Sequence, residues 1–300
     1  GVMSRIGLGY HTLIQHNPKL VMLSTCNMGQ TGPRAMTPGF GSQLSALSGF
    51  CGLTGASDGP PMLLYGPYID FIAANFGASA VLAALDKARR HGEASHIDLS
   101  QYETGLQFMA GALFDYHMNG NIADRKMNAD PVAVPHGVYP CLNNEWVTLS
   151  CWSNEEFQRL AAIMNRIDLA SDARFATEAQ RHENEPVLNE IIAGWTADQA
   201  AISVTTLVQD QGICAYPVNS VADVFSDPQL RELGTWRWRR HAEIGMLACN
   251  FPPFDLCETP GDIYNTAPLF GEGNDYVYRE LIGLSDAEME KYLQDGVIGI

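Results

Sequence analysis

Asp70 stands where a carboxylate can do chemistry. It follows the turn Asp58-Gly59-Pro60-Pro61 and opens a long apolar segment, Ile69-Asp70-Phe71-Ile72-Ala73-Ala74, that runs on to about Arg90. In the first turn of a helix, a carboxylate faces unpaired N–H groups and the positive end of the helix dipole. Together these favour its charged form by about 0.3–1 kcal/mol. Such an aspartate caps a helix, and beside an acyl carbonyl the same ionised group is a nucleophile. Three further sets of residues have chemical potential. Gly29-Gln30-Thr31-Gly32-Pro33 follows a strand end, where open α/β sheets bind ligands, but without a lysine after the glycines it is not a phosphate loop. Tyr65 and Tyr68 flank Gly66-Pro67 just ahead of Asp70, placed either to line a pocket or to pack. His136, in Pro135-His136-Gly137, reads either as a strand histidine at a linker exit or as a group that approaches a site.

Composition narrows the partners. Three hundred residues at 46% hydrophobic suffice for a large core and for two domains. The net charge of −16 excludes a nucleic-acid surface, which must be basic. Lys87-Ala88-Arg89-Arg90 is a local cationic cluster, read either as an anion contact or as cations completing a helix C-terminus before Gly92. Trp236-Arg237-Trp238-Arg239-Arg240 alternates with period two, which suits an exposed-edge strand better than a base-stacking platform. His11 with His16 and His91 with His96 are each five apart, the wrong spacing for two ligands on one helical face, so no metal is expected. Seven cysteines are dispersed with no Cys-x-x-Cys pair, as reduced core thiols are in a cytoplasmic protein. No apolar run is expected to span a bilayer, and Gly1-Val2-Met3-Ser4-Arg5 lacks a signal peptide's apolar stretch; no membrane partner is expected.

The elements around Asp70 follow from periodicity. Residues 1–15 read as the end of an amphipathic helix, broken by Asn17-Pro18. Leu20–Ser24 is apolar on both faces, the pattern of a buried parallel strand with neighbours on either side. A short helix over 43–53 presents Leu44, Leu47 and Phe50. The Asp70 helix is rich in small residues, so neighbours can approach closely. Ile97-Asp98-Leu99 is a strand, and Ser100…Glu103 has capping-box spacing for a helix ending near Met118. Residues 120–135 are polar and irregular, a linker. Strands at 136–141 and 145–151 bracket the turn Leu142-Asn143-Asn144. Ser153 and Thr196-Ala197-Asp198-Gln199 start helices, and 213–218 and 235–241 are further strands. From about Asn250 the chain is Pro-rich, then helical at 274–282 and 285–294. The order predicts an α/β layered domain and a smaller α+β domain.

These landmarks, with Pro38-Gly39-Phe40, Ser48-Gly49, Leu53-Thr54-Gly55, Gly92-Glu93 before Ile97-Asp98-Leu99-Ser100, and Ala267-Pro268-Leu269-Phe270-Gly271-Glu272, occur in an order that resembles the family III CoA-transferases, the group of formyl-CoA transferase and the carnitine and bile-acid CoA-transferases. The resemblance covers nearly the whole chain. It implies a Rossmann-like discontinuous large domain, residues 1–125 and 251–300, with an inserted small α+β domain over 126–250. It also implies two subunits interlocked as a dimer. In the family, the aspartate nine residues beyond the paired prolines is the covalent nucleophile, here Asp70. Coenzyme A is then a substrate rather than a resident cofactor, and the partners are an acyl-CoA and a carboxylic acid. Two-base α-methylacyl-CoA racemases of the same family pair this aspartate with a histidine that falls here on Phe40, which has no proton to exchange. Formyl-CoA transferase has a tyrosine–glutamate pair where this chain has Phe40-Gly41, so the resemblance implies a roomier, apolar wall and a larger or less polar acyl group than formate or oxalate. The family's leading strand–helix block has no counterpart here. The expectation is a homodimer, or a hetero-oligomer with a chain that supplies the block; the alternatives are a 2-methylacyl-CoA racemase-like enzyme and a non-catalytic subunit or fragment that retains Asp70.

Overall fold

The computed structural model describes residues 1–299. The chain is mixed α/β and divides into two compact units, Gly1–Tyr216 and Pro217–Ile300. The first unit opens with two one-turn helices, α1 (Val2–Arg5) and α2 (Tyr10–Leu13), not one helix end. Gly7, at φ +80°, separates them. Strand β1 (Val21–Cys26) follows and pairs in parallel with β2 (Ser95–Ser100), Val21 opposite Ser95 through Cys26 opposite Ser100. Among the described residues β2 is the only neighbour of β1, where the apolar pattern predicts two.

The crossover between these strands carries α3 (Gly41–Leu47), a 3₁₀ turn at Phe50–Leu53 and α4 (Tyr68–His91). Leu44, Ile69 and Ile72 join α3 to α4 in a small core, with Ile69 fully buried. Leu47, expected on the buried face of α3, is exposed; Ser45 and Ser48 turn inward instead. Their hydroxyls are satisfied by the carbonyls of Gly41 (2.9 Å) and Tyr102 (3.3 Å). Gly77 lets α4 lie close on the sheet, because a Cβ there would sit 3.2 Å from a Leu23 methyl.

With 24 residues and a mean hydropathy of 1.5 in its best window, α4 is long and apolar enough to cross a membrane, a correction to the sequence reading. Its composition comes from alanines and glycine that suit close packing, and β1, β2, α3 and a following helix, α5 (Gln101–Leu106), lie against it. Ser100 Oγ accepts the Glu103 N–H (3.3 Å) at the start of α5, as the capping-box spacing predicts. The helix then breaks at 107–109 and resumes as α6 (Ala110–Asn119), a correction to the single helix expected; Gly105 and Gly111 flank the break, where the helix is weakest.

Residues 120–135 form no regular element, and Asp130 orders their end. Its Oδ1 accepts N–H groups from Val132 and Ala133, which hold its carboxyl below the usual range. Next, β3 (His136–Pro140) and β4 (Trp146–Ser150) form an antiparallel hairpin. Asn143 and Asn144 take the left-handed conformation its turn requires, at φ 57° and 62°. Helices α7 (Asn154–Ile163), α8 (Glu178–Glu183), α9 (Glu185–Thr196) and α10 (Ala201–Gln209) precede β5 (Cys214–Pro217), which completes a three-stranded sheet. Thr196 closes α9 rather than opening a helix. It is buried, and its Oγ1 donates to the Pro140 carbonyl (2.7 Å). The next helix, α10, takes its first-turn acceptor from a distant residue, Glu145, whose Oε2 receives the Ala201 N–H (2.8 Å). Val147, Leu149, Phe157, Leu160, Phe175, Leu188, Ile192 and Val204 fill the core between these helices and the sheet.

Arg181 is buried there, 1% exposed, without a carboxylate partner. Its guanidinium donates to the Val134 and Phe175 carbonyls and to Asn154 Oδ1 (3.0–3.1 Å) and lies 4.7 Å over the Phe157 ring. Replacing it with methionine removes the charge but strands two buried carbonyls, each costing about 1–3 kcal/mol. Arg181→Met is therefore expected to lower unfolding stability by about 2–3 kcal/mol; urea titration that finds a change under 0.5 kcal/mol would refute this.

The second unit contains α11 (Val221–Ser226), α12 (Pro228–Glu232), an antiparallel hairpin of β6 (Trp236–His241) and β7 (Gly245–Asn250), a π-helical segment over Asp275–Leu281 and α13 (Asp286–Gln294). Ser220 with Asp223 and Ser285 with Glu288 cap α11 and α13 reciprocally. All seven cysteines are free. Cys51, Cys141 and Cys151 are buried, and burial pushes the Cys151 thiol up to about 12, so it is an unreactive core group.

Candidate active site

Asp70 is the third residue of α4, and its N–H donates to the Pro67 carbonyl (2.9 Å). Among the described residues its carboxylate accepts no hydrogen bond, and the residue is partly exposed. Gly41, the first residue of α3, is buried beneath it. A Cβ at Gly41 would lie 2.7 Å from Pro67 Cα and Cβ and 2.8 Å from Asp70 Oδ2. No side chain fits there without displacement. The carboxylate thus rests where the starts of two helices, α3 and α4, converge, and both present N-terminal partial positive charge.

The residues that flank Gly41 and Asp70 in the chain include three aromatics. Phe40 precedes Gly41 and is 79% exposed; Tyr65 is 97% exposed. Tyr68 begins α4, and its ring meets Phe50 edge-on at 5.8 Å. Gln43 Oε1 accepts the Phe40 N–H (3.2 Å), which fixes the backbone ahead of Gly41.

Gln30 sits in a separate network. Its N–H donates to both oxygens of Asp98 (3.1 and 2.9 Å) and its amide nitrogen to Cys26 Sγ (3.4 Å). Gly29, at φ +86°, packs against Ser100 and Asp98, so Asp98 is the post that anchors the glycine-rich loop to β2. Sequence reasoning passed over Asp98.

His136 lines a cavity of about 610 Å³ with Tyr139, Glu185, Asn189 and Lys126, and Asp70 is not part of that lining. The His136 Nδ1 is held by the Asn128 carbonyl, and Tyr139 OH donates to Asn189 Oδ1 (2.7 Å). Structurally, then, Gly41 meets Asp70, Phe40 adjoins Gly41 and is exposed, Tyr68 shares the first turn of α4, and Gln30 and His136 have other partners. Lys87 and Arg90 pair with Glu93 (3.0 Å) and Asp86 (2.9 Å) near the far end of α4, about 25–30 Å along the helix from Asp70. Among the described residues no group of three or more His, Cys, Asp or Glu is placed to hold a metal ion.

Residues 1–274 match the family described as CoA-transferase family III. A succinyl-CoA–D-citramalate CoA-transferase of Chloroflexus aurantiacus is 30% identical over 289 residues, which cover 96% of this chain and 72% of the relative. The alpha subunit of a succinyl-CoA–L-malate CoA-transferase of the same organism is 31% identical, covering 97% and 68%. A crystal structure of a CAIB/BAIF family protein from Brucella suis superposes with a TM-score of 0.86 at 25% identity, over 94% of this chain and 73% of that one. By this match over nearly its whole length, the chain belongs to the family III CoA-transferases.

Proposed function

We propose that Asp70 is the covalent nucleophile of a CoA transfer from an acyl-CoA to a carboxylic acid. The observation that carries this reading is the seat of Asp70: a partly exposed carboxylate on the bare backbone of Gly41. An Asp70 oxygen attacks the thioester carbonyl, the C–S bond breaks, and CoA leaves as thiolate, leaving a mixed aspartyl–acyl anhydride. The thiolate attacks the aspartyl carbonyl and expels the donor acid as its carboxylate, which forms an aspartyl-CoA thioester. The acceptor carboxylate then attacks this thioester and displaces the thiolate. The thiolate finally takes the acceptor's acyl group and frees Asp70. Negative charge shifts between oxygen and sulfur without net change, so fixed N–H dipoles at the two helix starts assist every step.

Relatives named for succinyl-CoA with citramalate, malate or glutarate support a dicarboxylic acyl group for this chain as well. Gly41 and Phe40 add no fixed charge to the wall, which leaves room for a four- or five-carbon acid. Phe40 has no exchangeable proton, which favours transfer over two-base racemisation. We further read the large domain as Rossmann-like and the working enzyme as cytoplasmic and oligomeric. That last reading rests on the two-stranded sheet and on apolar side chains of α4, Phe71, Phe76 and Leu82, that face solvent. Some relatives are named as alpha and beta subunits, so the partner is a second copy or a related chain. Incubation with succinyl-CoA and hydroxylamine is expected to convert Asp70 alone to its hydroxamate, read by intact mass and peptide mapping. Modification at another carboxylate, with Asp70 untouched, would overturn the assignment.

A further inference from the structure

The chain leaves the end of β1 as a loop and returns to the seat of Asp70, and one side chain closes that loop. Asn27 Nδ2 donates to the Gly39 carbonyl (2.9 Å). Along the returning arm, Ala35 N–H donates to the Gly32 carbonyl (3.3 Å) and Thr37 N–H to the Arg34 carbonyl (2.9 Å), both within the arm itself. Among the described residues, the Asn27–Gly39 bond is therefore the only hydrogen bond that ties residues 31–39 to anything outside them. All of these residues except Ala35 and Gly39 are exposed, so burial does little to hold the arm in place.

Asn27 is itself fixed. It follows Cys26, whose pairing with Ser100 ends the β1–β2 ladder, and its carbonyl accepts the Tyr102 N–H (2.9 Å) in the first turn of α5. Met28 and Tyr102 pack against Leu44, Ile69 and Ile72, the small core that joins α3 to α4. Gly39 lets the amide approach, because a Cβ there would lie 3.2 Å from the Asn27 amide nitrogen. Phe40 alone separates Gly39 from Gly41, whose backbone meets the Asp70 carboxylate. Two other bonds hold this stretch. Gln43 Oε1 accepts the Phe40 N–H (3.2 Å), and the Ser45 hydroxyl donates to the Gly41 carbonyl (2.9 Å). Both come from α3 itself and shape its start. Asn27 comes from the end of the sheet and ties that start to it.

We propose that Asn27 is a positioning residue for CoA transfer: through Gly39, its amide holds the Phe40–Gly41 backbone against which the Asp70 carboxylate is set. The proposal rests on Asp70 as the nucleophile. Misplacing a reacting group by about 1 Å costs about 10²-fold, and Asn27 acts at one remove, so Asn27→Ala should lower kcat about tenfold with no rise in either KM. Hydroxylamine trapping at Asp70 should slow by the same factor, measured per folded protein from a thermal melt. Asn27→Asp keeps the size of the side chain but sets an oxygen against the Gly39 carbonyl, so it should lose at least as much; it gives the same comparison if the alanine protein does not fold. In a Gly41→Ala background, where the seat is already displaced, Asn27→Ala should cost less than about threefold, because the two changes act on one feature. Parent-like turnover by Asp70→Asn would sink the nucleophile and this proposal with it. An inactive Asp70→Asn protein beside Asn27 variants within twofold of the parent would overturn the role of Asn27 alone. So would a loss confined to KM, or the full tenfold loss persisting in the Gly41→Ala background.

Discussion

Asp70→Asn is expected to reduce the rate of CoA transfer by at least about 10⁴-fold while the protein stays folded, because an amide oxygen cannot form the anhydride on which the later steps depend. The fold should tolerate the change. The Asp70 side chain makes no capping bond, so only its favourable placement at the start of α4 is lost, about 0.3–1 kcal/mol. Initial rates with succinyl-CoA, taken on fresh protein before the new amide can hydrolyse, together with a thermal melt, separate the two effects. Turnover within tenfold of the parent would remove Asp70 from the mechanism.

Gly41→Ala is expected to lower kcat by about 10²-fold, the cost of misplacing a reacting group by about 1 Å. The added methyl would stand 2.8 Å from Asp70 Oδ2 and 2.7 Å from Pro67 Cα and Cβ, so relief on the Pro67 side needs backbone movement and relief on the other displaces the carboxylate itself. Overpacking should also cost about 1–3 kcal/mol of stability. The signature is a fall in kcat larger than any loss of folded protein, with slower hydroxylamine trapping at Asp70. An alanine variant that turns over at the parent's rate would mean that the carboxylate is not seated on this glycine when it reacts.

How far the sequence discloses these features depends on how local their causes are. The start of α4, the cap at Ser100, the β3–β4 hairpin and the irregular 120–135 segment follow from residues within a few positions of one another, and the structure has them all. Thr196 is different. It has the composition of a helix start, but its hydroxyl is drawn to Pro140, 56 positions earlier, and α10 takes its cap from equally distant Glu145. The hydropathy of α4 was underestimated because small residues chosen for close packing also raise the mean. Of the site, Asp70 and Tyr68 share the first turn of α4 and follow from local turn chemistry, whereas Phe40 and Gly41 were singled out only by the resemblance to the family. The contact of Gly41 with the Asp70 carboxylate, and the clasp of Asp98 on the Gln30 backbone, are tertiary facts that no spacing encodes.

The parallel pairing of β1 with β2 also sets an order of events in time. Val21 meets Ser95 across 74 positions, whereas Pro140 and Trp146 of the β3–β4 hairpin are six apart. Loop closure makes the first pairing costlier by about 2 kcal/mol of chain entropy, to be met before any contact rewards it. The hairpin and its helices should therefore acquire hydrogen-exchange protection first, and β1, β2 and the start of α4 last; pulse-labelling that found the reverse would contradict this. Since Asp70 and Gly41 both lie inside that long closure, the hairpin and its helices are expected to become compact before the proposed nucleophile is seated, and that seat is the first thing a partial unfolding would take away.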